Sequence, residues 1–318
     1  MSLTAPSRSS VALPVPLARL AAVVADLAGA ATRAPLVALC GLVVGLAVVC
    51  ALLAPWISPH NPYDLVSVEL SNAFLPPAWI EGGSSDFLLG TDNQGRDLLS
   101  LIIYGLRSSL GIALLATATA LLVGVTVGLV SGYVGGFLDS VLMRVVDIQV
   151  AFPAILLALL IDGVALSLLG SQRHQSAAVV VLVLSIGLSH WVQFARAIRG
   201  STLVERQKDY VSAAEVLGVG RVRILVRHIL PNVAGPIVVM GTLNAALAII
   251  SEATLSFLGV GLPPTEPSLG TLVRIGNNFL FSGEWWIAVF PALVLAVLII
   301  AVNCLGDWLR DLTNPKLA

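Results

Sequence analysis

The side chains able to do chemistry are few in this chain, and they are scattered. Of 318 residues only 11% are Asp, Glu, Lys or Arg, with four histidines and three cysteines beside them. His60, His174, His190 and His228 stand at no metal-ligand spacing. Cys40, Cys50 and Cys304 lie inside apolar runs, so no disulfide framework is expected. A phosphate cradle needs Gly-rich backbone followed by Lys and Ser or Thr. The only lysines, Lys208 and Lys316, follow no such loop. Neither a Ser–His–Asp nor a Cys–His set can be assembled from these positions. Asp92-Asn93-Gln94-Gly95-Arg96-Asp97 imitates the start of a calcium loop but lacks the ligand spacing and the terminal bidentate Glu. It reads as an Asx-rich turn leading into a helix. These residues argue against an enzyme acting alone, and against a metal or cofactor bound by this chain.

Polar groups inside apolar stretches are the remaining candidates: Asp147, Asp162, Asn244, Glu252 and Asn303. An ionisable group at such a depth is a functional hypothesis. Asn244 would either line a pathway or bond a neighbouring helix. Glu252, at an apolar helix end, must find a donor or water, which favours a structural anchor. Asp147 is three residues from Arg144, so the two would pair on one helix face. Asp162 falls near a span end and would be hydrated there. Asn244, Glu252 and Asp147 are retained as pathway candidates.

The elements that must position these groups follow from composition. The chain is 57% hydrophobic, with a mean hydropathy of +0.96, whereas a soluble domain carries roughly 25% charged residues. It reads as an all-α integral membrane protein with no basic tract for nucleic acid. About 20 apolar residues cross roughly 30 Å of hydrocarbon, which places six spans near 36–54, 107–131, 139–162, 177–198, 233–256 and 286–307. Residues 1–35 form an N-terminal tail, with an interfacial helix expected around Leu17–Leu27, and 308–318 a C-terminal tail. The first apolar run starts too late for a signal peptide. With both termini inside, 13 of the 17 cationic residues face the cytoplasm and only Arg96, Arg107, Arg173 and Arg274 lie outside. Segment 55–106 is then extracytoplasmic, with an interfacial helix before the second span. Trp285 and Trp286 would form an interfacial belt.

One cytoplasmic stretch, within 205–231, is both charged and amphipathic. Tyr210, Ala213, Ala214 and Leu217 fall at i, i+3, i+4 and i+7, a helix face with a small centre that another surface could approach. Gly218 stands where a helix end favours positive φ. A second helix carries Arg223 and Arg227 on one side and Leu225 and Ile229 on another, and Pro231 fits the first turn of the next helix.

This stretch resembles the EAA loop of ABC-importer permeases, where E-A-A is followed by three residues, Gly, nine residues and I-x-L-P. Ser212-Ala213-Ala214, Gly218 and Leu230-Pro231 occupy those places, with Ser212 replacing the Glu and His228 the Ile. LGTDNQGRDLLS followed by YGLRSSL, SEATLSFLGVGLPP with PSLG, and GDWLRDLTNPKL resemble signatures of the C-type permease of dipeptide, oligopeptide and nickel importers. Leu101 stands where that family often has Arg, and Asn314 where Asp is usual. The resemblance runs from about residue 86 to the end.

It implies a type I ABC importer in a bacterial cytoplasmic membrane. This chain would pair with a homologous B-type permease, two ATPase subunits holding ATP and Mg, and an extracytoplasmic substrate-binding protein. Tyr210–Gly218 would lie in a groove of one ATPase subunit, and Arg223, Leu230 and Pro231 would pass its motion to the fifth span. Relatives handle dipeptides, longer peptides, nickel chelates, haem or glutathione. The rival reading is a secondary transporter or channel, which calls for paired broken helices with inverted repeats and midplane charges. Only one elbow is present, with no second copy.

Overall fold

The computed structural model describes residues 35–64 and 69–313. The N-terminal tail with Leu17–Leu27, Arg8, Arg19 and Arg33, and the end of the C-terminal tail with Lys316, lie outside the described residues. Within them the chain is helical, and its only bridge is the isolated pair Thr91–Asp97. Five helices are long and apolar enough to cross a membrane, or six if one sharply bent pair is a single span.

The first helix among the described residues, α1 (Pro35–Leu52), is apolar along its whole length. The second, α2 (Leu98–Val134), has 37 residues, about 55 Å at 1.5 Å per residue. The interfacial helix expected before residue 107 is therefore corrected: it is the first turns of α2 itself. Asp97 sets that start, because its carboxylate caps the helix by accepting from Ser100 N at 2.9 Å.

The expected third span, 139–162, is also corrected. It divides into α3 (Gly136–Val150) and α4 (Ala154–Leu169), bent by 95°. Pro153 explains the break: it lacks an N–H for the ladder and drives Phe152 away from helical dihedrals. The pairing expected between Arg144 and Asp147 does not form either. Asp147 Oδ1 lies 2.6 Å from Arg196 Nη2, and Asp139 takes both Arg199 Nε and Nη2 at 2.6 and 2.7 Å. These bonds bind α3 to α5 (Ala178–Arg206), the next long helix. Asp162, expected to be hydrated, is buried with Oδ1 at 3.1 Å from His174 Nε2.

The centre of the molecule is the seam between α2 and α5. Gly124, Gly128 and Gly132, four residues apart on α2, let its backbone meet α5 directly. A methyl on Gly128 would stand 2.7 Å from the Ala195 carbonyl oxygen and 2.9 Å from Ile198 Cβ. Small residues in a stripe are what close helix contact in a membrane requires.

The chain then passes through α6 (Asp209–Val216) and α7 (Arg221–Ile224) to α8 (Ala234–Phe257), α9 (Leu269–Asn277) and α10 (Trp286–Thr313). The loop between α8 and α9 folds back on itself. Gly259 takes φ +87° at the end of α8, and Gly270 lies so close to Ala253 that a methyl would be 2.7 Å from its Cα. Ser268 caps α9 by accepting from Thr271 N at 3.1 Å. Ser268→Ala should lower stability by about 1 kcal/mol, read as a shift in thermal unfolding midpoint. Trp286, expected in an interfacial belt, is instead buried, and its Nε1 donates to the Thr91 carbonyl at 3.2 Å. Trp286→Phe keeps most of the packing and loses that bond, for an expected cost of about 1 kcal/mol in the same measurement.

The Asp92 turn is as anticipated: Oδ1 accepts from Gln94 N and Arg96 N, both at 2.9 Å. Arg96 returns Nε and Nη2 to Asp92 Oδ2 at 2.8 and 2.7 Å, and reaches the Pro264 carbonyl at 3.2 Å. The Arg96 guanidinium, paired with Asp92, thus joins the 69–97 segment to the α8–α9 loop through one hydrogen bond.

Candidate coupling site

The elbow begins where α5 ends. Lys208 and Gln207 break the helix, and Asp209 opens α6 with a carboxylate in the first turn, where the helix dipole favours it. Val211 and Ala214 are buried against Leu129 and Tyr133 of α2, Ile198 of α5, and Ile224, Ile229 and Val233 downstream. The face expected from spacing is thereby corrected. Tyr210 and Ala214 turn toward the body, while Ala213 and Leu217 turn away from it. Leu217 is 81% exposed and Val216 88%. The inward stripe uses i and i+3, Val211 and Ala214, and leaves Val216 and Leu217 exposed beside Ser212 and Ala213.

Gly218 takes φ +74°, the left-handed geometry that L side chains resist. Val219 N bonds the Ala214 carbonyl and Gly218 N the Glu215 carbonyl, both at 3.0 Å, so the last turn is sealed in a Schellman arrangement. In α7 and the wider π-type turn after it (Leu225–Ile229), Ile224 and Ile229 are buried while Arg223 and Arg227 are exposed. Pro231 stands in the first turn of the short helix Leu230–Asn232, as anticipated.

Polar clamps fasten the elbow to the spans. Glu205, at the end of α5, accepts from Tyr210 Oη at 2.7 Å and from Lys208 Nζ at 2.5 Å. Asn232 Nδ2 reaches the same Tyr210 oxygen at 3.2 Å. Burial, reinforced by the Glu205 carboxylate, pushes the Tyr210 hydroxyl above its ordinary pKa, so it remains a donor. Near the other end, Tyr133 Oη donates to Glu215 Oε1 at 2.9 Å. Ser212 is exposed and makes no side-chain bond among the described residues. The Tyr133–Glu215 clamp is not legible in the sequence because its partners stand 82 positions apart, whereas Glu205 is only three and five positions from Lys208 and Tyr210. The glycine spacing on α2 was the one local signal for this junction.

Of the pathway candidates, Asp147 stands on α3, and Asn244 and Glu252 both stand on α8. Asp147 is half exposed on α3, in its pair with Arg196. Asn244 is 3% exposed within α8, and its amide has no partner among the described residues. Glu252 is fully buried; Ser256 Oγ donates to it at 2.8 Å, and the hydroxyls of Ser109 and Ser268 lie against the same carboxyl. It therefore sits where α2, α8 and the loop to α9 meet.

Residues 124–318 match the family described as the binding-protein-dependent transport system inner membrane component. The chain is 36% identical over 272 residues to the di/tripeptide transport system permease protein DppC of Pseudomonas aeruginosa, covering 86% of this chain and 85% of that one. It is 41% identical over 283 residues to the dipeptide transport system permease protein DppC of Escherichia coli K12, covering 87% and 89%. Among solved structures, the inward-facing MetNI methionine ABC transporter superposes with a TM-score of 0.54 at 16% identity, over 68% of this chain and 98% of that one. That likeness is one of fold. The chain belongs to the binding-protein-dependent transport system inner membrane components and is a permease subunit of an ABC importer, carried in the membrane on several apolar helices.

Proposed function

We propose that this chain forms half of a peptide-conducting pathway and receives mechanical work through α6. Its other half is a homologous permease, and two ATPase subunits and a substrate-binding protein complete the importer. Both termini and the elbow face the cytoplasm, in keeping with the cationic side chains clustered there. Relatives named for di- and tripeptides support peptides as the cargo.

One observation carries the reading. The helix α6 has one face fixed in the core beneath it, through Val211 and Ala214, and two large apolar side chains, Val216 and Leu217, exposed away from that core among the described residues. An exposed apolar patch beside a hinge is what a docking partner covers. Because the clamps at Glu205 and Tyr133 fix α6 to α5 and α2, a push on it reaches the glycine seam as well as α8. Differential contact with an open and a closed ATPase pair would then bias two arrangements of the spans.

Cross-linking tests the docking. In a variant with Cys40, Cys50 and Cys304 replaced by serine, a cysteine at position 217 should be captured by an ATPase subunit in the assembled complex. A cysteine at exposed position 140, on α3, should not. Equal capture at both, or none at 217, would remove α6 as the docking element.

A further inference from the structure

A cavity of about 400 Å3 lies between α6 and the ends of the spans, lined by Tyr133, Val134, Arg206, Glu215, Arg221 and Ile224. Its walls come from four elements: the last residues of α2, the last of α5, the side of α6 and the first of α7. Two of these are the ends of helices long and apolar enough to cross a membrane. Nothing in the docking of α6 uses it, since the docking face points the other way.

Its charge is distinctive. The Arg206 guanidinium lies over the Tyr133 ring, 5.8 Å from the centroid. Arg206 and Arg221 both lie near enough to act electrostatically on the Tyr133 hydroxyl. Neither has a carboxylate within ion-pair distance among the described residues. The one acid present, Glu215, already accepts from Tyr133. Two guanidiniums against one engaged carboxylate leave the cavity with a net positive charge. Beside it, on either side of the turn at Gly135 and Gly136, Val134, Phe137 and Leu138 are 44%, 86% and 40% exposed. An apolar berth therefore adjoins a cationic one.

We propose that this cavity lies at the headgroup level of the adjoining leaflet and binds the phosphodiester headgroup of an anionic phospholipid. Its phosphate is held by Arg206 and Arg221, and its acyl chains lie along Val134 and Phe137. Guanidinium forks match two phosphate oxygens at once. Hydroxyls of a glycerol headgroup would supply donors for the free oxygen of Glu215. A lipid so held touches α2, α5, α6 and α7 together, so it braces the coupling helix against the spans. Coupling would then depend on the charge of the surrounding leaflet.

The test uses the complete complex, permease pair with ATPase subunits, in phosphatidylcholine nanodiscs containing increasing phosphatidylglycerol. The parent should retain phosphatidylglycerol in native mass spectra, and its ATP turnover should rise with the mole fraction of that lipid. In Arg206→Gln/Arg221→Gln the retained lipid should be lost. The mole fraction for half-maximal turnover should rise about tenfold to thirtyfold, the effect of neutralising two cations beside an anionic surface. Arg221→Gln alone, on an exposed and short helix, should give a smaller shift of the same sign and guards against misfolding of the double variant. Undiminished lipid retention in both variants would overturn the proposal. So would displacement of the lipid by millimolar inorganic phosphate, which would mark a soluble-anion site. Loss of the ATPase subunits from the purified variant would mean a protein contact, and would overturn it equally.

Discussion

Gly128→Leu should remove the permease from the folded pool, whereas Gly111→Ala on the same helix should leave it there. The contrast rests on what each new side chain meets. At Gly128 even the first carbon would stand 2.7 Å from the Ala195 carbonyl oxygen, 2.9 Å from Ile198 Cβ and 3.0 Å from Arg199 N. Two of those three atoms are backbone, which cannot rotate aside. The only relief is separation of α2 from α5, and that opens the seam along Gly124 and Gly132 as well. Ordinary overpacking costs about 1–3 kcal/mol, and here the collision is repeated along a shared interface. A methyl on Gly111 meets nothing within 4 Å, so alanine there should be neutral or slightly stabilising through helix propensity. Size-exclusion profiles of the solubilised complex, with thermal midpoints of what survives, measure both. A monodisperse Gly128→Leu complex with the parental midpoint would mean that the seam is not the mechanical centre of the subunit.

The elements legible in the sequence were those fixed by local chemistry. Five of the six expected spans followed from the length of apolar runs, the turn at Gly218 from glycine's freedom at positive φ, and the Asp92 turn from its own side chain. Elements set by distant contacts were misread. Arg144 and Asp147 have helical spacing, but Arg196 on α5 offered Asp147 a nearer charge. Trp286 resembled a belt residue until the Thr91 carbonyl supplied a buried acceptor. In α6 the spacing of Tyr210, Ala213, Ala214 and Leu217 identified a helix without deciding which side faces in. That choice belongs to Ile198, Ile224 and Ile229, and none of them is on the helix.

The inward–outward choice changes which substitution tests coupling. Ala214→Arg would drive a charge into the cluster around Leu129 and Tyr133, destroying the elbow itself, so a loss of transport would say nothing about docking. Leu217→Asp is the informative variant. Leu217 is 81% exposed, so its own chain loses almost no packing, and the complex should be expressed and inserted as in the parent. Against an ATPase groove the change has two parts. Burial of a leucine side chain contributes about 1.5–3 kcal/mol, and an unpaired carboxylate left in an apolar site adds a penalty of similar size. A combined loss above about 3 kcal/mol lowers occupancy of the docked state by more than about a hundredfold. Uptake of labelled dipeptide by cells should therefore fall at least about tenfold, even where avidity through the second permease retains part of the assembly. Binding-protein stimulation of ATP hydrolysis should fall with it, while the thermal midpoint of the permease stays unchanged. Ala213→Arg, on the same outward side, should act in the same direction. If both variants import dipeptide at the parental rate with expression verified, α6 does not transmit the work, and the clamps at Glu205 and Tyr133 hold a loop with no mechanical task.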